Sequence, residues 1–203
     1  MGAHLKHGKV CGNTLRCPFH GFCFDTKGKC TETFHKQDNI PPKANLKHLP
    51  LKEENGLIFV FYHPEGVAPD WDILPFDMSD YEKPMFKTLD LKSHPQETSE
   101  NSVDIVHFEC VHGFKNPTII DDLNIDGPYL RVAYQVDRDL KVLGKPIYNI
   151  NFVMKIKVSG LGFSMVDTYV KNLKLHLRFF VCSTPTTEGR INLLLGACIK
   201  KFP

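Results

Sequence analysis

The stretch Glu100-Asn-Ser-Val-Asp-Ile-Val-His-Phe-Glu-Cys-Val-His112 sets Asp104, His107 and His112 in an Asp-x-x-His-x-x-x-x-His pattern. Two neutral imidazoles and a carboxylate that leave open positions form a ligand set for a ferrous ion. On an ideal helix His107 lies about 60° to one side of Asp104 and His112 about 80° to the other. A regular helix therefore splays the two rings. One ion can be shared only if the helix ends or distorts near Val111, for example at a π-bulge. The alternative is a pair of unrelated histidines, one buried and one at a helix end.

A second stretch, Leu15-Arg-Cys-Pro-Phe-His-Gly-Phe-Cys-Phe-Asp25, lies near the start. It puts Cys17 and His20 in Cys-Pro-Phe-His-Gly between two hairpin patterns. One turns at Gly12-Asn13, the other near Lys27-Gly28. That arrangement suits donors held at loop tips by a β scaffold. Zinc is the rival here, on Cys11, Cys17, His20 and Cys23.

The two stretches together resemble the Rieske non-haem iron oxygenases. Cys17 and His20 match the Cys-x-x-His half of that family's [2Fe–2S] site. Asp104, His107 and His112 match its iron site, including the Phe after the first His and the Gly after the second. The resemblance implies that Cys17 and His20 bind the cluster and that His107 and His112 bind mononuclear Fe(II). It implies that Asp104 bridges the two centres by hydrogen bonds, as an outer-shell group orienting the ligands. His replaces two of the four Cys on one iron of such clusters, which raises their potential.

Length and composition agree with a globular chain. There are 203 residues, 42% hydrophobic and 24% charged, with a net charge of +2. So small a charge, with Lys and Arg scattered, gives no case for nucleic acid. No apolar run reaches the roughly 18 residues of a membrane span, and no signal peptide is visible. Seven cysteines, an odd number, four of them within twenty residues and mixed with histidine, favour metal or redox chemistry in a reducing compartment over a disulfide scaffold.

The expected class is α+β: a small all-β Rieske domain, then an antiparallel-sheet helix-grip catalytic domain, both incomplete. The expected spans are 1–66 for the first domain, 67–84 for a linker and 85–203 for the second. Residues 31–56 read as loop, followed by a strand over Gly56–His63. A capping pattern at Ser93-His-Pro-Gln96 predicts one helix that carries Asp104 and His107, with His112 near its end and Gly113 as the stop. Alternating runs then predict strands, with turns at Asp126–Pro128, Ser159-Gly160 and Thr184-Pro185. The alternation gives the sheet; its curvature round a helix is implied only by the resemblance.

Two departures from the family pattern stand out. The Cys-x-His half of the cluster site would fall ahead of Met1, and His4 and His7 sit too close to Cys17 to replace it. The family's third iron ligand, a late Asp, has no counterpart in context. Asp121, Asp122, Asp126, Asp167 and Glu188 read as turn or surface residues, and Cys110 as a buried thiol. The chain is thus expected to lack both ends of the family architecture.

Pro18-Phe-His-Gly-Phe, Asn55-Gly-Leu-Ile, the turn at His63–Gly66 and Glu100–Phe108 are most similar to the animal cholesterol 7-desaturases of the Neverland type. The bacterial 3-ketosteroid 9α-hydroxylases come next. This resemblance implies a sterol substrate, O₂, and electrons from NAD(P)H through a separate reductase or ferredoxin. It also implies a homotrimer, and a full-length form held at an endoplasmic-reticulum-type membrane and facing the cytosol. A catalytically inactive product that binds sterol or the full-length subunit is the competing expectation.

Overall fold

The computed structural model describes residues 3–34 and 40–202. These form two compact units, one up to Pro69 and one from Asp70 onward.

The first unit is built from short strands. β1 (Lys9–Cys11), β2 (Thr14–Arg16), β3 (Cys23–Asp25) and β4 (Cys30–Glu32) form a four-stranded antiparallel sheet in chain order. The two predicted hairpins are both present. The register Cys11↔Thr14 places Gly12-Asn13 at the first turn, with Gly12 at φ +55°. The second turn holds Gly28 at φ +78°, where a Cβ would meet the Leu46 carbonyl at 2.7 Å. Only glycine fits there without displacing backbone. A small core of Cys17, Phe24 and Cys30 is flanked by Leu5, Phe22, Ile40, Ala44 and Leu46. The loop reading of 31–56 needs correction, apart from 35–39, which lie outside the described residues. β4 enters its start, and β5 (Leu51–Glu54) pairs with β6 (Leu57–Val60) as a separate two-stranded sheet. Asn55-Gly56, both at positive φ, makes the turn between them.

The second unit is one seven-stranded antiparallel sheet in the order β7-β13-β12-β11-β10-β9-β8. Its strands are β7 (Met85–Lys92), β8 (Lys115–Asp126), β9 (Tyr129–Val142), β10 (Lys145–Ser159), β11 (Phe163–Val170), β12 (Leu175–Thr187) and β13 (Arg190–Ile199). Two short helices, α1 (Pro95–Glu100) and α2 (Ile105–Cys110), lie between β7 and β8.

Alternation divides the sheet into two apolar faces. On one face Phe108 of α2 seats in a cluster with Val132, Tyr134, Val136, Met154, Ile156 and Val158. On the other, Phe76 packs against Phe163 and Phe180 at centroid distances of 5.8 and 5.4 Å. There the segment before β7 also lies on the sheet. The Trp71 ring occupies the space a Cβ on Gly160 would need. Arg178 pairs with Asp167 at 2.6 Å and stacks 4.3 Å from the Tyr81 ring.

Two expectations fail in this unit. The predicted single helix is two, broken at residues 101–104, because Asp104 has extended backbone (φ −86°, ψ 99°) and starts a new helix as its N-cap. The predicted turn at Thr184-Pro185 is absent. β12 runs on through Pro185, and the turn comes at Glu188-Gly189.

Candidate functional site

Local capping chemistry positions the two histidines. Asp104 Oδ1 accepts hydrogen bonds from the Val106 and His107 backbone N–H groups at 2.9 and 3.2 Å, satisfying donors that the first turn would leave open. α2 then lasts only six residues. At its far end Gly113 adopts φ +64° and the Phe114 N–H bonds back to the Phe108 carbonyl at 3.0 Å. The Gly113 N–H also bonds to the Glu109 carbonyl at 3.1 Å, the five-to-one closure of an αL-type helix end. The helix thus stops where a shared site requires it to stop, and the chain curls His112 back toward His107. Their Nε2 atoms lie 3.0 Å apart, with ring planes at 82°.

Phe108 and Phe114 fix this turn to the sheet. Phe108 meets Tyr134 edge-on at 5.0 Å, and Phe114 meets Phe152 at 5.5 Å. Burial, followed by the positive charges of His107 and Arg138, lowers the His112 pKa, which favours the neutral, ligating imidazole. Arg138 lies 6.0 Å from the Phe114 ring. Nothing local in the sequence signals Arg138; the pairing of β8 with β9 brings it there.

The other sequence candidates are distributed differently. Cys17 is buried and His20 exposed on one tight loop, closed by Cys17 N–H to Phe22 O at 2.7 Å and Gly21 N–H to Cys17 O at 3.1 Å. The His20 ring lies 3.9 Å from that of Phe19. An open cavity of about 800 Å³ borders this loop, lined also by His7, Arg16, Thr33 and Phe34. Cys110 is exposed, not buried, because it sits two residues past Phe108 on the outer side of α2. Asp121, Asp122, Asp126 and Glu188 are exposed, and Asp167 is held by Arg178. Among the described residues no three His, Cys, Asp or Glu side chains form a group able to hold a metal, so the zinc alternative does not form. All seven cysteines are free.

Residues 60–203 match the 3-ketosteroid 9alpha-hydroxylase C-terminal domain, and residues 1–50 match the Rieske [2Fe-2S] domain. The chain belongs to the Rieske oxygenase family. The oxygenase component of 3-ketosteroid-9-alpha-monooxygenase from Rhodococcus rhodochrous is 26% identical over all of this chain and 54% of its own length. Cholesterol 7-desaturase of Xenopus laevis is 33% identical over 55% of this chain and 26% of its own length. The chain therefore spans about half the length, or less, of these relatives. Among solved structures, dicamba monooxygenase bound to dicamba superposes with a TM-score of 0.71 over 96% of this chain and 62% of its own, at 18% identity. That likeness establishes the fold.

The Rieske oxygenase chain can be tested for the two iron groups its family implies. At metal–nitrogen bonds of about 2.1 Å, two imidazoles at right angles on one ion stand about 3.0 Å apart. The two Nε2 atoms are within hydrogen-bond distance of one another at 3.0 Å, a separation that one shared ion also accommodates. The cluster is different: a Rieske cluster takes two Cys and two His, and Cys17 and His20 supply half of that set. No further donor joins them among the described residues. No helix among these residues is long and apolar enough to cross a membrane.

Proposed function

We propose that this chain forms the body of a steroid-acting Rieske oxygenase whose reaction is the introduction of a double bond at C7 of a sterol. The observation that carries the reading is the convergence of His107 and His112 at 3.0 Å beside an apolar sheet face. These two side chains would hold Fe(II), which when bound supplies activation of O₂ for attack on an unactivated C–H bond.

The remaining roles belong to the chain. Asp104 caps α2 and so fixes where His107 points. Phe108 and Phe114 hold the ligand turn against the sheet and keep water from its inner side. The register puts Val166, Phe179, Val181, Leu193 and Leu195 on the same face as Phe108's cluster. All five keep some exposure, which suits a rigid hydrocarbon skeleton lying against the strands. Cys17 and His20 are assigned to the [2Fe–2S] site as two of its ligands. The electron donor is NAD(P)H acting through a separate reductase or ferredoxin, and the assembly is a homotrimer.

Two other readings each rest on an observation. Hydroxylation in place of desaturation is the alternative because 3-ketosteroid monooxygenases match the whole chain at 26% identity, as a cholesterol 7-desaturase of Bombyx mori also does. A sterol-binding, non-catalytic chain is favoured by the lack of a third metal donor among the described residues.

Anaerobic titration with Co(II), a spectroscopic stand-in for Fe(II), tests the site. One cobalt per chain is expected, lost in His107→Ala and in His112→Ala while far-UV circular dichroism is retained. Unchanged cobalt binding in both variants would sink the assignment.

A further inference from the structure

The β9–β10 hairpin reaches beyond the rest of its sheet. Pairing of β9 with β8 stops at Asp137, and pairing of β10 with β11 stops at Phe152. From Arg138 to Ile150, among the described residues, the two strands have no ladder partner but each other. A two-stranded ribbon in water is marginal, and this one carries its larger apolar side chains on one face. Leu140, Val142, Tyr148 and Ile150 follow Tyr134 and Val136 onto one face, with Arg138 and Lys145 among them, while Asp137, Asp139, Asn149 and Asn151 share the other. The acids are already engaged: Asp139 with Lys115 at 2.5 Å and with Asn149, Asp137 with Asn116 and Asn151.

The tip departs furthest from ordinary turn chemistry. Leu143 and Gly144 both have positive φ, +50° and +79°. Such a two-residue turn calls for Asn-Gly or Asp-Gly. A leucine there is strained and, at 97% exposure, gains no packing in return. Val142 and Ile147 beside it are more than half exposed, and the only charges between Leu140 and Tyr148 are Lys141 and Lys145. A locally unfavourable residue without a compensating contact marks a surface made for something else.

We infer that this hairpin tip inserts into the interface of an anionic lipid membrane, Leu143 entering the acyl boundary and Lys141 and Lys145 pairing with headgroups. The apolar point with a basic collar matches what the interface offers: hydrocarbon below and negative charge at its rim. The acidic residues sit at the base of the arm, paired, on its polar face. The inference is independent of the metal site, so either can fail alone.

The test is co-sedimentation of the full chain with phosphatidylcholine vesicles, with and without phosphatidylserine. Binding should require phosphatidylserine. Lys141→Gln with Lys145→Gln should weaken it by roughly thirtyfold, at about a fivefold loss per lysine. Leu143→Asn should weaken it by about tenfold or more, through loss of a buried leucyl side chain. Because Asn suits the turn, thermal stability should hold or rise in that variant, which excludes unfolding as the cause. No binding to the anionic vesicles, or equal binding by all variants, would overturn the inference. So would a wild-type oligomer that Leu143→Asn converts to monomer, since the tip would then cover a second copy of the chain.

Discussion

Replacing Asp104 by Ala and by Asn separates two roles that the same carboxylate could serve. Its Oδ1 caps α2 through two backbone N–H groups, and its Oδ2 has no hydrogen-bond partner among the described residues. Alanine removes both capping bonds, a loss of about 1 kcal/mol and at most about 2. It also removes a negative charge from the helix N-terminus, worth about 0.3–1 kcal/mol. Asparagine keeps the capping oxygen and forfeits only the charge. Melting of the second unit should therefore fall by about 4–8 °C in Asp104→Ala and by about 2 °C in Asp104→Asn. Because α2 has only six residues, fraying its first turn displaces His107, and Co(II) affinity should fall by about tenfold in Ala alone. If the free Oδ2 bridges to a second centre, Asn should preserve stability and cobalt binding yet lose turnover of reconstituted enzyme. Equal melting temperatures for wild type and Asp104→Ala would refute the capping argument. Equal destabilisation by Ala and Asn would refute it too, since Asn caps as well as Asp.

The anchor beneath the ligands gives a larger effect. Phe108→Ala should cost about 3–5 kcal/mol in urea unfolding, because the ring is 5% exposed and meets Tyr134 edge-on; a loss under about 1 kcal/mol would show that α2 is held elsewhere. Cys182 gives a pH effect of defined sign. Burial raises its pKa from 9.0 to about 11, so the fold favours the neutral thiol. Its stability contribution is complete below pH 9.0 and is lost as pH rises toward about 11. The stability difference between wild type and Cys182→Ala should therefore shrink or reverse over that window; a constant difference would contradict it.

Spacing and family resemblance together pointed to the two histidines, and distant pairing hid much of the rest. The separation of His107 from His112 demanded a helix end near Val111, and Gly113 supplied the residue for it; both are local facts. The break at Asp104 was as local, since Asp is among the best N-caps, but its carboxylate reads first as part of the metal-site motif. Asn55-Gly56 was likewise a turn signal that would have exposed β5 within a Lys- and Glu-rich stretch. Pro185 misled for a different reason. Proline ends a strand only where its missing N–H is needed. β11 pairs with β12 no further than Cys182, so at Pro185 that side of β12 has no partner to disappoint. Leu143 is the converse. Its pattern is an ordinary alternating hairpin, and nothing in the sequence says that the flanking strands stop short. Only the register shows an apolar tip left without a neighbour. The protruding arm, and the membrane contact inferred from it, therefore depend on pairings between residues as far apart as Lys115 and Asp137.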